Sequence, residues 1–250
     1  MTLYNEWVEA EANIDIGDKM VNIKSPSKIA LHGALGHLAI ETNHLYMRHA
    51  NKSKSIKYVV DVGANMGATT LLFNRAFPDA RILAIEPVEI NYRCLLHNTR
   101  GISNITTLKM AVSNKRSSIK LSMPTAAQRP DLHRRFGNSG LYSIFGKDDA
   151  HSETVQADTL DNIVSDKVDF LKIDVEGSEA LVFAGAKRIM TKDRPIMMVE
   201  LSGHNIEMAG HTFQEYTSYF DALNYVVVGT YRGDCVMCPA ELNHFRWVMP

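Results

Sequence analysis

Residues 58–70 read YVVDVGANMGATT: an apolar run, an acidic residue, then glycines at 63 and 67 that lead into a helix-forming stretch. A short apolar run ended by glycine predicts a buried parallel strand, and GATTLLFNRAF behind it predicts a helix stopped by Pro78 and Asp79. Glycines let the backbone of such a turn pass close to a ligand. In an open parallel sheet, ligands bind beyond the carboxyl ends of the strands, which is where this turn falls.

The same alternation runs on through the chain. ARILAIEP, NITTLKMAVS, VDFLKIDVEG, PIMMVEL and YVVVGT read as strands two to six, and VEINYRCLLHNT, SEALVFAGAKRIM and TFQEYTSYFDAL as helices between them. Parallel strands need crossovers, and the crossovers bury both faces of the sheet. The fold class is therefore α/β, a Rossmann-like sandwich with a mostly parallel sheet and helices on both faces.

Two stretches fall outside this pattern. Residues 1–56 form an N-terminal extension, expected to be helical and packed on the core, because Ser25 and Pro26 suit an N-cap and first helical position ahead of Ile29, Leu31, Leu35, Leu38 and Leu45. The main domain, 57–250, carries a variable insert at 114–153, in which SSIKLSMP is a candidate strand and the rest is polar and glycine-punctuated. Loops of that length in compact domains are lids or binding loops when ordered.

Composition narrows the function classes. With 45% hydrophobic and 22% charged residues the chain is a globular protein, and a formal charge of −1 gives no global pull toward nucleic acid or anionic membrane. No run is long enough to span a bilayer, the start MTLYNEWVEAEANID lacks a secretory pattern, and three cysteines do not make a disulfide framework. A cytoplasmic location is expected. The oligomeric state is left open. Cys235 and Cys238 form a CxxC, but without a second pair they do not specify a zinc or redox site.

Asp61 discriminates between ligands. A dinucleotide turn offers backbone N–H groups to a pyrophosphate, which a carboxylate would repel. A ligand with an ammonium or sulfonium group suits Asp61 better. Glu86 ends the second strand 19 positions after Gly67, where a carboxylate accepts hydrogen bonds from both ribose hydroxyls. A nucleoside bearing a cationic amino acid, S-adenosylmethionine, meets both demands.

DVGANMG, IEP, LKIDVEGSE and VEL, in this order, resemble the FkbM family of S-adenosylmethionine-dependent methyltransferases, over about residues 56–202. The resemblance implies the class I methyltransferase fold with a seven-stranded sheet, and O-methylation of a hydroxyl on a sugar, glycan or natural-product small molecule. It also implies that Asp61, Gly63, Asn65 and Gly67 line the methionine end of the cofactor and that Glu86 holds the ribose. Met110, Ala111 and Val112 would then border the adenine.

Methyl transfer needs an acceptor oxygen aligned with the sulfonium methyl and a group to take its proton. Lys172, Asp174 and Glu176 alternate onto one side of the fourth strand, with Asp174 near its carboxyl end. Asp174 is the expected base or acceptor-orienting group, Glu176 the second expected catalytic residue, with Glu200 beside it to contact the acceptor or position a base, and His204, the imidazole near the same edge suited to proton transfer near neutrality, is the third expected catalytic residue. Lys172 reads as an ion-pair partner of Asp174 and stays off the catalytic list. This carboxylate rim is chemically suited to Mg²⁺, but capping and ribose binding also account for such residues, so no metal ligands are assigned. Three other readings stand beside this one: a nicotinamide-dependent oxidoreductase, an RNA methyltransferase using basic residues around 129–135, and a cofactor-binding module without catalysis.

Overall fold

The structure is a computed structural model that describes residues 10–15, 20–25, 55–125, 127–128, 139–231 and 233–242. The expected helix over Ile29–Leu45 and the basic stretch 129–135 lie outside the described residues.

The centre is a seven-stranded sheet. Its strands are β3 (Tyr58–Val62), β4 (Arg81–Ile85), β5 (Ile105–Leu108), β9 (Phe170–Ile173), β10 (Ile196–Glu200), β11 (Tyr225–Tyr231) and β12 (Asp234–Pro239). Their spatial order is β11-β12-β10-β9-β3-β4-β5. All pairings are parallel except those of β12, which runs antiparallel to both β10 and β11.

Alternation along the strands builds two cores. Val60, Val62, Leu171, Ile173 and Val199 pack on one face with Val182 and Phe183 of α4 (Glu179–Gly185) and Tyr216 and Phe220 of α6 (Phe213–Ala222). Their neighbours Val59, Phe170 and Met198 point the other way, onto Leu72, Phe73 and the following Phe77 of α1 (Ala68–Ala76). The Phe170 ring lies 5.2 Å from that of Phe73 and 5.5 Å from that of Phe77. At about 25 cal/mol per Å² of buried apolar surface, aromatic clusters of this kind carry much of the stabilisation. Helix α6 starts on a capping box between Thr212 and Glu215.

Several elements differ from expectation. NITTLKMAVS is not one strand: β5 ends at Leu108, and Ala111–Val112 (β6) joins a second sheet with β7 (Ser117–Met123) and β8 (Asp148–Asp158). The chain turns at Lys109, whose ammonium reaches Glu89 at 2.6 Å and Glu153 at 3.0 Å, and β6 finds its partner in Ala157 and Asp158 of β8. The insert thus enters and leaves as paired strands, with Leu121, Tyr142, Val155 and Ala157 forming a small core over Val88 and Ala111. The helix expected over SEALVFAGAKRIM ends at Gly185, and the chain re-enters helix as a π turn, Ile189–Asp193. The Asp161 carboxylate, on the one-turn helix α3 (Leu160–Ile163), accepts the N–H groups of Arg188 and Ile189 and starts that second segment.

The described part of the N-terminal extension is strand, not helix. β1 (Ala10–Asp15) and β2 (Met20–Ser25) form an antiparallel hairpin. It is fastened by Asn98 of α2 (Glu89–Asn98), which accepts from the Lys24 N–H at 2.7 Å and donates to the carbonyls of Lys24 and Met66, each at 2.8 Å. One amide therefore ties the extension to the turn that follows β3.

Candidate functional site

The parallel register fixes where the functional groups meet. Val62 pairs with Ile85 and Ile173, and Ile173 with Val199, so β3, β4, β9 and β10 end level and their next residues share one edge. A cavity of about 600 Å³ opens there. That volume lies within the range of small-molecule and cofactor sites.

The glycine turn forms its back wall. The N–H groups of Gly63 and Ala64 both donate to the Ile85 carbonyl at 3.0 Å, and Asn65 and Gly67 adopt positive φ of 51° and 89°. Gly63, Ala64, Asn65 and Met66 line the cavity. The Asn65 N–H donates to Glu86 Oε2 at 2.8 Å, and Glu86 Oε1 accepts from the Val88 N–H at 3.0 Å and from Asn91 Nδ2 at 3.4 Å. The same carboxylate that faces the cavity thus fixes the turn above it. Met110, Ala111 and Val112 supply the apolar stretch, with Leu121 and Tyr142 of the insert facing it.

Burial pushes the Glu86 carboxyl up to about 7, against the lowering effect of its three donors and of Lys172. Its ordinary value is near 4.5, so between those two pH values the folded protein keeps a proton that the unfolded chain releases. Stability of the free protein is expected to fall as pH rises through this window, by at most about 3 kcal/mol from this group. Urea denaturation at pH 5 and pH 8 checks it: Glu86→Gln should flatten the slope, and an unchanged slope would remove Glu86 as its source.

Asp61 is a correction. It was expected at the methionine end of the cofactor, but it is fully buried and lies behind the turn. Its Oδ2 accepts from the Thr70 hydroxyl at 2.6 Å and its Oδ1 lies 3.6 Å from Lys172 Nζ. Gly67 likewise shapes the turn without lining the cavity, its N–H donating to the Ala64 carbonyl at 2.8 Å. Lys172 holds the centre. Its ammonium donates to the Gly63 carbonyl at 3.0 Å and lies 3.1 Å from Asp174 Oδ2. Burial pulls that ammonium's pKa down, yet Asp174 and Asp61 more than offset it and the net value is raised.

The opposite end of the cavity is acidic. Asp174, Glu176 and Glu200 line it, joined by Asp234, which β12 places in register beside Glu200. Burial, then the charges of Asp174, Glu176, Glu179 and Asp234, push Glu200 well above the usual carboxylate range. Burial and Asp174 raise Asp234 to about 6, against Lys172. Asp174 keeps a third of its side chain exposed and is open to a ligand.

His204 is the second correction. It is exposed on α5 (Gly203–Met208), away from the cavity lining, and the next residue, Asn205, occupies the place foreseen for it. Asn205 is 3% exposed, and its Nδ2 donates to Glu176 Oε2 at 3.0 Å and Glu200 Oε2 at 3.2 Å. Sequence reasoning missed Asn205 and Asp234. The polar run SGHNIE after β10 was the available signal for the first; the second required knowing that β12 inserts beside β10. The CxxC residues are buried in the cores on opposite faces of the sheet, Cys235 on one and Cys238 on the other, so they do not share a ligand.

The donor set fits S-adenosylmethionine. Glu86 presents a two-oxygen acceptor, Met110 to Val112 an apolar border, and Asn65, which lines the cavity, a buried side-chain oxygen without a hydrogen-bond partner among the described residues.

The chain resembles known proteins. Residues 61–227 match the model of the methyltransferase FkbM domain. Methyltransferase sdnD of Sordaria araneosa is 28% identical over 174 residues, covering 58% of this chain and 66% of that protein. The 31-O-demethyl-FK506 methyltransferase FkbM of Streptomyces tacrolimicus is 26% identical over 174 residues, covering 59% and 66%. The chain therefore spans slightly less than two thirds of the length of these curated relatives. A crystal structure of methyltransferase FkbM from Methylobacillus flagellatus KT aligns with a TM-score of 0.49 at 19% identity, over 73% of this chain and 43% of that one. With well over half of its residues inside the domain model, the chain belongs to the FkbM methyltransferase family.

Proposed function

We propose that this protein is an S-adenosylmethionine-dependent O-methyltransferase acting on a hydroxyl of a sugar, a glycan or a natural-product small molecule. The observation that carries the reading is one cavity with a nucleoside-suited end, Asn65, Glu86 and Met110 to Val112, and an acidic end at Asp174. The name of the Streptomyces tacrolimicus relative, a 31-O-demethyl-FK506 methyltransferase, supports an oxygen as the acceptor atom.

When bound, S-adenosylmethionine supplies an electrophilic methyl group. The residues of the chain do the rest. Glu86 and the turn hold the nucleoside, and Asp174 orients the acceptor hydroxyl and takes its proton. Lys172, ion-paired at 3.1 Å, holds Asp174 in place. Glu176 and Glu200 contact the acceptor. Tyr142 and Leu141 bring the insert to the cavity, so the 114–153 segment shapes acceptor choice, with residues 1–56 as a separate extension. A cytoplasmic location belongs to the same proposal, supported by the small number of cysteines, three in 250 residues. Among the described residues no helix is long and apolar enough to cross a membrane.

Calorimetry tests the cofactor: S-adenosylmethionine and its demethylated product should bind and NAD should not. Binding of NAD alone would replace this reading with the oxidoreductase one. Asp174→Asn should keep affinity for the demethylated product and slow turnover by about 10²-fold, the lower end of what a positioned base contributes. Unaltered turnover would take Asp174 out of the chemistry.

A further inference from the structure

We infer that Ser143 and Phe145 of the insert are positioning residues, which hold the 174–177 turn and with it the acceptor end of the cavity. The contact itself does not depend on the methyl-transfer reading; its consequence for an acceptor rests on that reading.

The turn does not hold itself. Glu176 has a φ of +51° and Gly177 one of +98°, so two successive residues lie in the left-handed region, the first of them with a side chain that disfavours it. Backbone of this kind persists only where its surroundings over-determine it. On the α4 side, the N–H groups of Val175 and Gly177 share one oxygen of the buried Glu179 carboxylate, each at 3.2 Å. On the insert side, the Ser143 hydroxyl donates to the Glu176 carbonyl at 2.7 Å, the shorter bond. The Phe145 ring covers Gly177, where a Cβ would meet it at 3.4 Å.

Ser143 is itself a fixed point. Its carbonyl and N–H both pair with Ser122 of β7, at 2.9 and 3.0 Å. Its Oγ accepts from the Phe145 N–H at 3.3 Å, which leaves the hydroxyl proton for Glu176. The Phe145 carbonyl accepts from Gln128 Nε2 at 2.7 Å. Gly146 packs so closely on Ser122 that a Cβ would lie 2.0 Å from its carbonyl oxygen. Ser143 is buried, and neither it nor Phe145 lines the cavity, whereas Tyr142 and Ile144 do. Successive residues of this segment thus alternate between cavity wall and grip on the turn.

The direction of the Glu176 side chain follows from its left-handed φ. A turn released from the insert would relax toward commoner backbone and re-aim that carboxylate. The acceptor end is therefore assembled from two distant parts of the chain. In methyl transfer, the insert then acts on the acceptor through Glu176 as well as through its own cavity-lining residues.

Hydrogen exchange of the free protein, resolved to single amides by mass spectrometry, tests this and needs neither cofactor nor acceptor. Ser143→Ala should speed exchange at Val175 and Gly177 by about tenfold, the worth of one buried hydrogen bond, with Val60 and Ile173 of the central strands unchanged. Ser143→Thr, which keeps the hydroxyl, should return both amides to within about threefold of wild type. Phe145→Leu should speed the same two amides, and it carries the test should Ser143→Ala not fold by circular dichroism. Calorimetry adds a second readout: each variant should bind the demethylated cofactor within about threefold of wild type, since neither side chain lines the cavity. Equal exchange at Val175 and Gly177 in wild type and variant would overturn the inference. So would acceleration shared equally by Val60 and Ile173, the mark of a side chain that only stabilises the fold, or a threonine variant as fast as alanine, which would assign the effect to packing. If the wild type binds neither S-adenosylmethionine nor its product, the proposed function falls, while the exchange rates still decide the role of Ser143.

Discussion

Gly63→Ala is expected to abolish binding of S-adenosylmethionine and to lower the melting temperature by roughly 10 °C or more. The reason is steric and backbone-borne. A Cβ at this position would lie 1.7 Å from the carbonyl oxygen of Asp174 and 2.9 Å from its carbonyl carbon. Neither atom is the free end of a side chain. The Asp174 N–H is held by the Val62 carbonyl at 3.1 Å, and the Gly63 and Ala64 N–H groups are held by Ile85, so the turn and the end of β9 would have to part. The φ of +78° adds about 1–2 kcal/mol of strain for any residue with a Cβ. Gly101→Ala provides the control: its φ of +80° is nearly the same, but among the described residues nothing lies within 4 Å of a Cβ there. Gly101→Ala should therefore show the conformational cost alone and bind the cofactor normally. Thermal melts and calorimetry on the pair check the argument. If both variants melt together, the contact between the turn and β9 does not matter as claimed.

That contact explains how much of the site could be read in advance. The alternation of Val59 and Val60 announces a strand buried on both faces, and the level ends of β3, β4, β9 and β10 follow from parallel pairing. Glu86, Asp174 and Glu200 could thus be placed at one edge from order along the chain. What strand order does not fix is which way a side chain turns just after a strand ends. Asp61 lies inside β3, not beyond it, and its position points it at Thr70 and Lys172 behind the turn. His204 and Asn205 are one residue apart, but successive helical positions differ by about 100°, and α5 turns the amide inward and the imidazole out. Asp234 reached the site only because β12 threads antiparallel beside β10, a long-range pairing that carries no local signature. The insert strand β8 and the hairpin β1–β2 were hidden for a related reason. Their residues are mixed and polar, and their pairing depends on partners distant in sequence.

Lys172→Met tests the electrostatic centre and should cost about 3–5 kcal/mol, the usual price of breaking a buried ion pair from one side. The methionine is close in length and apolar, so packing is nearly conserved and the loss is chiefly one of charge. Asp61, fully buried, would keep only the Thr70 hydroxyl at 2.6 Å, and Asp174 would lose its partner at 3.1 Å. The Gly63 carbonyl would lose its donor at 3.0 Å at the same time. A second variant separates these contributions. Asp61→Asn combined with Lys172→Met removes the stranded charge along with its partner, and two neutralised sites in contact are not additive. The double variant should recover at least half of the stability lost by Lys172→Met alone, in urea denaturation at pH 7. Recovery would identify Asp61 as a structural counter-charge that anchors Lys172 beneath the turn, the role its burial assigns to it. A double variant no more stable than Lys172→Met would mean that the lysine acts mainly through Asp174 or the Gly63 carbonyl. The element that holds the site together would then be the bond between Lys172 of β9 and the turn, with Asp61 a bystander to it.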